Sequence, residues 1–547
     1  MSPLLEELHR VLAEMAVLID KEEEPEPQLY AIFFQRPEYA FQIIELLNNL
    51  DEEAIQARSP IYSACIFAFD ICLAQLQAAS ENHNKSFTKA LTQLMNQLAG
   101  FINEHRHSLT YWLPVLNAFY DVHAELTQEL KDAYFDLANE EGEEDDFEGN
   151  EQSHLDAIRD LIHELSDLSI FEIAEHFFAQ SYAMPADFFI DLVMDLFSLP
   201  EGGDIALLTL LHPKAEVRET VLSTLEQLMP QISLSSISLS RLQTIQSWYP
   251  ARYQATFDRW IKAQRKKGVI FAPELPACEF KVKATEVDGS GSQGLFIHAG
   301  KGRKNRLGGL LLKYQAGIKD TWITPEISAA EVADYYHQAF EENVTLRDVD
   351  SIYFKLMLEH FLAVTIAQGD VPNLYFLELH ELLALRFRPN TLDIESLFTQ
   401  LSVEISPFTE EVIAQSFKRS KSWLKNKPFT ESWYLESAAI DKIVNHNSSY
   451  VDGIKICRLA DAIQEVFIEA FESDRARWQF HFLWVALWLK AKEKKNEKSW
   501  QDSFLIAHAI KTGHVLKDIP VMQEICKQTV INSIETMQER KTYLNKE

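Results

Sequence analysis

The densest group of residues suited to binding chemistry lies near the middle of the chain, in residues 300–306 (GKGRKNR). Four of these seven residues are cationic: Lys301, Arg303, Lys304 and Arg306. An arginine guanidinium group can bind phosphate oxygens through two parallel hydrogen bonds, and glycine lets the backbone approach such an anion closely. We therefore predict an anion-binding or nucleic-acid-binding site at these four residues.

The charge of the surrounding segment supports this site. Residues 259–313 contain 12 basic and four acidic side chains, a local net charge of +8, whereas the whole chain carries −31 and the remainder therefore −39. An acidic surface repels nucleic acid, so such a partner would be confined to this segment, where a basic strand pair could enter a groove. Two alternatives stay open. The basic residues could contact this protein's own acidic surface or remain solvated, or they could bind an acidic protein partner.

Two further motifs fall short of a catalytic or metal site. Residues 289–294 (GSGSQG) look like a phosphate-binding loop, but no G-K-[ST] follows and the next element is predicted to be a strand, which favours a hairpin turn. His380 and Glu381 begin like the zinc-protease motif, but the position of its second histidine is Ala384. The chain also contains no G-x-S-x-G motif and no C-x-x-C pair, and we predict no catalytic residue, no metal and no cofactor.

The elements that must position these residues are mostly helices. Apolar residues recur at three- and four-residue spacing along most of the chain, and its 17 glycines and 19 prolines are few for 547 residues. Residues 273–326 break this pattern, because polar and apolar residues alternate from Glu279 and eight of the 17 glycines lie between Gly289 and Gly317. The sequence therefore predicts a mainly α fold with a small antiparallel β insert near its middle.

One helical segment carries a recognisable pattern, in residues 207–228 (LLTLLHPKAEVRETVLSTLEQL). A helix ending at a proline turn is followed by a helix that opens with an acid, a valine and an arginine, here Pro213, Glu216, Val217 and Arg218, before an apolar stripe that includes Val221 and Leu225. This segment resembles one HEAT-type helical repeat, at about residues 204–230. The resemblance implies a HEAT-like, solenoid-like helical body that holds partners on an extended surface.

Composition shifts predict five segments. Residues 139–152 contain eight acids and almost no apolar side chains, which is typical of a linker or exposed loop because like charges at this density repel one another. In the full division, residues 1–138 are an N-terminal helical domain and residues 139–152 an acidic linker or loop. Residues 153–272 are a HEAT-like helical region, residues 273–326 a small basic β insert and residues 327–547 a C-terminal helical domain.

Composition also narrows the class of function. Five cysteines without metal-ligand spacing predict a reducing compartment, the cytoplasm, and an acidic N-terminus is unlike a signal peptide. The apolar residues 60–79 are interrupted by polar ones, as in a buried helix, so we expect a soluble protein. We therefore expect a non-catalytic helical scaffold or adaptor with a protein partner and no membrane contact. One alternative is a nucleic-acid-associated factor that uses residues 259–313, and the other is an enzyme whose site is assembled from dispersed residues.

Overall fold

The computed structural model of this chain describes residues 3–23, 25–50, 59–81, 85–145, 151–273, 276, 278–301, 304–339, 344–451, 454–492 and 498–544. Within these ranges the protein is mainly α-helical and has one antiparallel sheet of five strands near its middle, which confirms the predicted fold class at this level. The chain is divided into two compact units, residues 1–238 (the N-terminal unit) and residues 239–547 (the C-terminal unit). The predicted five-segment division stays a prediction.

The regular secondary structure described in the N-terminal unit is entirely helical. Its helices are α1 (Pro3–Asp20), α2 (Pro27–Gln35), α3 (Tyr39–Asn49), α4 (Pro60–Glu81), α5 (Lys85–Ile102), α6 (Leu109–Asp121), α7 (Gln128–Asp145), α8 (Glu151–Glu164), α9 (Ile170–Gln180), α10 (Phe188–Ser198), α11 (Gly203–Leu208) and α12 (Ala215–Leu228). The next helix, α13 (Ser236–Trp248), carries the chain into the C-terminal unit.

The acidic segment predicted as a linker or loop is partly helical. Residues 139–145 continue α7 and residues 151–152 begin α8, whereas residues 146–150 lie outside the described part of the chain. Glutamate has a good intrinsic helix propensity, so a helix can extend into an acidic run that has little apolar surface to bury.

Helix α4 forms part of the core of the N-terminal unit. It is long and apolar enough to cross a membrane by length and composition, and 44% of its most apolar window is buried inside the protein. Cys65, Phe69 and Cys72 are fully buried where α4 packs against α1, α3, α5 and α6. A core helix that is contacted on several sides needs the same composition as a membrane span, so these contacts account for its apolar character.

The turn between α11 and α12 is held by a buried arginine. Arg218, only 5% exposed, donates hydrogen bonds from Nη1 to the carbonyl oxygens of His212 (2.8 Å) and Pro213 (2.7 Å). Carbonyls at a helix end have no partner within the helix, so this guanidinium group satisfies acceptors that burial would otherwise leave unpaired. The apolar stripe of the HEAT-like segment is buried on the same helix, at Val217, Val221 and Leu225.

The C-terminal unit combines the sheet with helices. Its remaining helices are α14 (Gln254–Lys266), α15 (Ala329–Ala339), α16 (Ser351–Ala367), α17 (Leu374–Leu383), α18 (Ile394–Val403), α19 (Glu410–Ser420), α20 (Trp423–Asn426), α21 (Ala438–His446), α22 (Leu459–Val466), α23 (Arg475–Lys490), α24 (Ser499–Lys511) and α25 (Pro520–Leu544). The large aromatic side chains of α23, Trp478, Trp484 and Trp488, are fully buried.

Five strands form the main sheet in the order β4-β3-β2-β1-β5, and all neighbouring pairs are antiparallel. Four of them fall within the predicted insert: β1 (Phe280–Ala284), β2 (Ser292–Lys301), β3 (Lys304–Lys313) and β4 (Gly317–Ile323). The fifth strand, β5 (Arg347–Val349), lies outside the insert, and three residues are too few to show an alternating pattern in sequence. A separate hairpin, β6 (Ser448–Val451) with β7 (Ile454–Cys457), was likewise not predicted.

The alternation of β2 decides what covers each face of the sheet. Gln293, Leu295 and Ile297 are buried on one face, where Gln293 accepts hydrogen bonds from Tyr353 of α16 (2.6 Å) and Trp484 of α23 (3.1 Å). On the opposite face lies α15, whose Tyr335 ring packs against Trp322 of β4 and whose Tyr336 ring lies beneath the ammonium group of Lys283 of β1. The insert is therefore a layer between helices.

We predict that Gly317→Ala destabilises the C-terminal unit by about 3 kcal/mol, more than an unfavourable backbone angle alone would cost. Gly317 has φ +75°, and an added Cβ would lie 2.2 Å from Oγ1 of the buried Thr365. Gly369→Ala is the matched control, because Gly369 has φ +86° but no atom within 4 Å of the added Cβ. It should cost about 1 kcal/mol.

Guanidinium unfolding followed by tryptophan fluorescence measures this difference, since nine of the ten tryptophans lie in the C-terminal unit. Equal losses of unfolding free energy in the two variants would show that β4 and α16 are not packed as closely as described here.

Candidate functional site

The predicted basic site lies at one end of the β2–β3 hairpin. Lys301 and Lys304 are paired across the two strands, and the residues between them, Gly302 and Arg303, lie outside the described part of the chain. The backbone of Lys301 is described but its side chain is not. Of the four predicted residues, the structure therefore describes only the side chains of Lys304 and Arg306.

Both of those cations contact acids of this protein. Lys304 Nζ lies 2.9 Å from Glu326 Oε2, and both side chains are mostly exposed. Arg306 is more enclosed: its Nη2 donates to Glu378 Oε1 at 2.7 Å, and its Nε donates to the Thr324 carbonyl at 2.8 Å. The Glu378 side chain is only 6% exposed. Arg306 thus neutralises a buried carboxylate of this protein. This contact is of the kind expected under the alternative in which the basic residues contact the protein's own acids.

Glu381 and His380 of α17 also contact other side chains of this protein. Glu381 accepts two hydrogen bonds from Arg241 of α13, at 2.7 and 3.0 Å. His380 packs edge-on against Trp248, and burial, with a contribution from Arg386, lowers its pKa to about 4. No three metal-ligating side chains come together anywhere in the described ranges. Residues 378–381 are therefore packing and ion-pair residues in this structure.

The glycine-rich run 289–294 forms a turn that leads into β2, as its predicted hairpin character requires. The Gly289 amide donates to the Ser432 carbonyl (3.1 Å), and its own carbonyl accepts from Arg477 Nη2 (3.0 Å). A Cβ at Gly289 would lie 2.5 Å from backbone atoms of Tyr434. The glycine permits this close approach between backbone segments. The turn before β2 therefore packs directly against the backbone of the segment before α21.

Exposed cations of the segment 259–313 lie mainly on α14. Phe257 and Trp260 bury one face of this helix, whereas Lys262, Arg265 and Lys266 are exposed. Lysine and arginine in the last turn of a helix also complement its dipole, which gives these residues a structural role as well. They form the largest described group of exposed basic side chains in the segment.

The two units differ strongly in net charge. The N-terminal unit carries 11 basic and 43 acidic side chains, a net charge of −32, whereas the C-terminal unit carries 40 basic and 39 acidic side chains, a net charge of +1. The net negative charge of the protein therefore lies in the N-terminal unit. Sequence reasoning missed this because it placed no boundary near residue 238.

A groove of about 430 Å³ lies on that acidic unit, between α10 and α12. Its α10 wall presents Ile190 and Met194, which are 40% and 46% exposed. Its α12 wall is mostly polar and includes Thr220, Ser223, Thr224 and Gln227. Two apolar residues four positions apart on the solvent side of a helix were the only sequence signal that could have indicated this groove.

Within the described part of the chain, one buried histidine, His481, lacks the hydrogen-bond partners that a catalytic base would need. His481 of α23 is 2% exposed, and neither ring nitrogen has a hydrogen-bond partner among the described residues. Trp433 and Trp478 contact its ring edge-on. Burial, with a smaller contribution from Arg477, lowers the pKa of His481 to about 3, so the imidazole is neutral in the folded protein near pH 7.

Two segments of the chain match known protein families. Residues 185–268 match the Y4lR second domain, and residues 395–534 match the Y4lR C-terminal helical domain. The first match contains the α10–α12 groove and α14, and the second covers most of the helices that follow α17. The five-stranded sheet lies between the two matched segments.

A curated relative is the uncharacterized protein y4lR of Sinorhizobium fredii (strain NBRC 101917 / NGR234), which is 26% identical over 332 residues. The alignment covers 59% of this chain and 61% of the relative, so the match spans about three-fifths of the relative's length. No solved structure matches this chain.

We predict that Arg306→Ala lowers the unfolding free energy of the C-terminal unit by about 3 kcal/mol, because it leaves Glu378 charged and buried without its cation. Lys304→Ala, the neighbouring exposed pair, should change it by less than about 0.5 kcal/mol. Arg306→Leu combined with Glu378→Leu should recover most of the loss, since no buried charge remains. Denaturant unfolding of the three variants checks this, and a similar small effect of Arg306→Ala and Lys304→Ala would contradict it.

We predict that His481→Leu flattens the pH dependence of stability in acid. The folded pKa of about 3 lies below the unfolded value near 6.5, so the unfolded chain binds a proton first and stability falls as the pH drops from about 6.5 towards 3. One such group contributes a slope of about 1.4 kcal/mol per pH unit in that window. Unfolding free energies at pH 6, 5 and 4.5 measure it, and an unchanged slope in the variant would refute the assignment.

Proposed function

We propose that this protein is a non-catalytic helical adaptor whose N-terminal unit binds a basic protein partner. The observation that carries this proposal is the net charge of −32 on residues 1–238 beside +1 on residues 239–547. A compact surface of one sign attracts a partner of the opposite sign over about a Debye length and raises its association rate. If the acidity served general solubility, it would have no reason to be confined to one unit.

The helical architecture of that unit is consistent with holding a partner. Helices that stack side by side expose long surfaces, and adaptors of the HEAT type bind proteins on such surfaces. We include the HEAT-like repeat at residues 204–230 in the proposal, supported by the buried stripe of α12 and the Arg218 contacts at the α11–α12 turn. The five free cysteines support a reducing compartment, and the cytoplasm is the proposed location.

A second candidate function is nucleic-acid association through residues 259–313, supported by the exposed cations of α14. It is the weaker candidate, because Arg306 neutralises Glu378 and Lys304 pairs with Glu326, so two of the four predicted contacts already have acidic partners. A charge reversal at Arg306 would disturb the fold as well as any ligand. Lys262→Glu with Lys266→Glu is the cleaner substitution for this candidate.

We predict that affinity capture with the full chain recovers a basic protein in stoichiometric amount at 100 mM salt, and that capture falls at least tenfold at 500 mM salt because the attraction is screened. Nuclease treatment should leave the recovery unchanged. Mass spectrometry of nuclease-treated and mock-treated samples provides the measurement.

The matched controls separate the two candidate functions. Charge-neutralising substitutions of exposed acids in residues 1–238 should weaken capture, whereas Lys262→Glu with Lys266→Glu should not. Loss of the captured material on nuclease treatment, together with sensitivity to the α14 substitutions, would favour the nucleic-acid function and reject the adaptor proposal.

A further inference from the structure

We propose that the groove between α10 and α12 is the binding site for a basic amphipathic helix of a partner protein. This inference rests on the proposed adaptor function and assigns it to one surface. The groove has a volume of about 430 Å³ and lies wholly within the N-terminal unit. Its walls are two helices, and helix α12 with 14 residues is about 21 Å long, enough to align three to four turns of a docked helix.

The α10 wall supplies the apolar contact. Ile190 and Met194 are four residues apart, so they lie on one face of the helix and both stay substantially exposed. Leu228 of α12 continues the apolar lining across the groove. An amphipathic helix can bury such residues with its own apolar positions at three- and four-residue spacing, and methionine adapts to the side chains it meets.

The hydroxyl groups of the α12 wall select the kind of polar group that can bind there. Ser223 Oγ donates its hydrogen to the Glu219 carbonyl (3.1 Å), and Thr224 Oγ1 donates to the Thr220 carbonyl (3.0 Å). A hydroxyl has one hydrogen to donate and two lone pairs to accept with. Because both hydrogens are used within α12, these groups offer the groove oxygen acceptors, which suit the ammonium and guanidinium donors of lysine and arginine.

Acids on the two helices have the same preference, and one of them, Glu219, lines the groove. Asp187 and Asp191 lie on the face of the α10 region that carries Ile190 and Met194, and Glu216 and Glu219 lie on the face of α12 that carries Ser223; all four are exposed. Helix α10 has no basic residue. The basic residue within α12, Arg218, is buried and donates to His212 and Pro213. Lys214, just before α12, interacts electrostatically with Glu216. Asp187 and Asp191 are exposed acids on the α10 side, which a basic helix complements and an acidic or neutral helix does not.

Fluorescence anisotropy with a labelled synthetic peptide tests the inference on the full-length protein. The probe is an 18-residue helix with leucines every three or four residues and lysine and alanine elsewhere; a scrambled peptide of the same composition has no apolar face. We expect the amphipathic probe to bind at least tenfold more tightly than the scrambled one at 50 mM salt. Pure charge attraction would make the two equal and would overturn the proposal.

Two pairs of matched variants locate the binding. Ile190→Gln with Met194→Gln should weaken the probe at least tenfold, whereas Val17→Gln with Phe34→Gln, two other exposed apolar residues of this unit, should change it less than twofold. Asp191→Asn with Glu219→Gln should weaken it several-fold more than Glu129→Gln with Asp167→Asn, which removes the same charge from exposed positions outside the groove. Circular dichroism and thermal unfolding confirm that each variant is folded.

Photo-crosslinking locates the bound probe independently, with a crosslinking residue placed at position 223 and, for comparison, at position 34. Crosslinking of the probe at 223 alone supports the groove. Binding that is unaffected by the Ile190 and Met194 substitutions, with crosslinks elsewhere in residues 1–238, rejects the groove but leaves the adaptor function standing. No binding of the probe rejects the groove as a basic-helix site, and the affinity capture then decides the adaptor function by itself.

Discussion

The ion pair between Arg306 of β3 and Glu378 of α17 is the contact on which the arrangement of the C-terminal unit depends. Glu378 is buried, and a charged carboxylate in such a place is tolerated only beside a cation, so α17 must lie where the sheet can supply one. Arg241 of α13 meets Glu381 on the same helix with two hydrogen bonds. Helix α17 is thereby held by ion pairs to the sheet and to α13.

This constraint changes the meaning of the basic run that dominates the sequence. A cluster of lysines and arginines in a glycine-rich hairpin has the composition of a phosphate-binding site, and composition does not distinguish ligands inside the protein from ligands outside it. The described cations of the run contact Glu326 and Glu378 of the same unit. The exposed basic surface of the segment lies instead on α14, whose apolar face is packed and whose cations extend into solvent.

The proposed function is assigned to the N-terminal unit for an electrostatic reason. Forty-three acids against 11 bases give this unit a net charge of −32, whereas the C-terminal unit carries a net charge of +1. The groove between α10 and α12 adds to this field a local chemistry of two exposed apolar side chains and hydroxyl oxygens whose hydrogens are already donated. The net charge of the unit and the lining of the groove both support the proposed partner, a basic amphipathic helix.

Periodicity and composition alone were sufficient to predict a mainly α protein with a small antiparallel sheet near its middle, because these depend on local alternation and on glycine. They also predicted the turn at residues 289–294. They could not predict β5, since three residues carry no period, or the joining of β1 to a strand 63 residues later. Whether Arg306 faces solvent or Glu378, and whether Ile190 and Met194 line a groove, depends on which distant helices pack together. Such contacts form between residues far apart in the chain, so only the tertiary structure decided them.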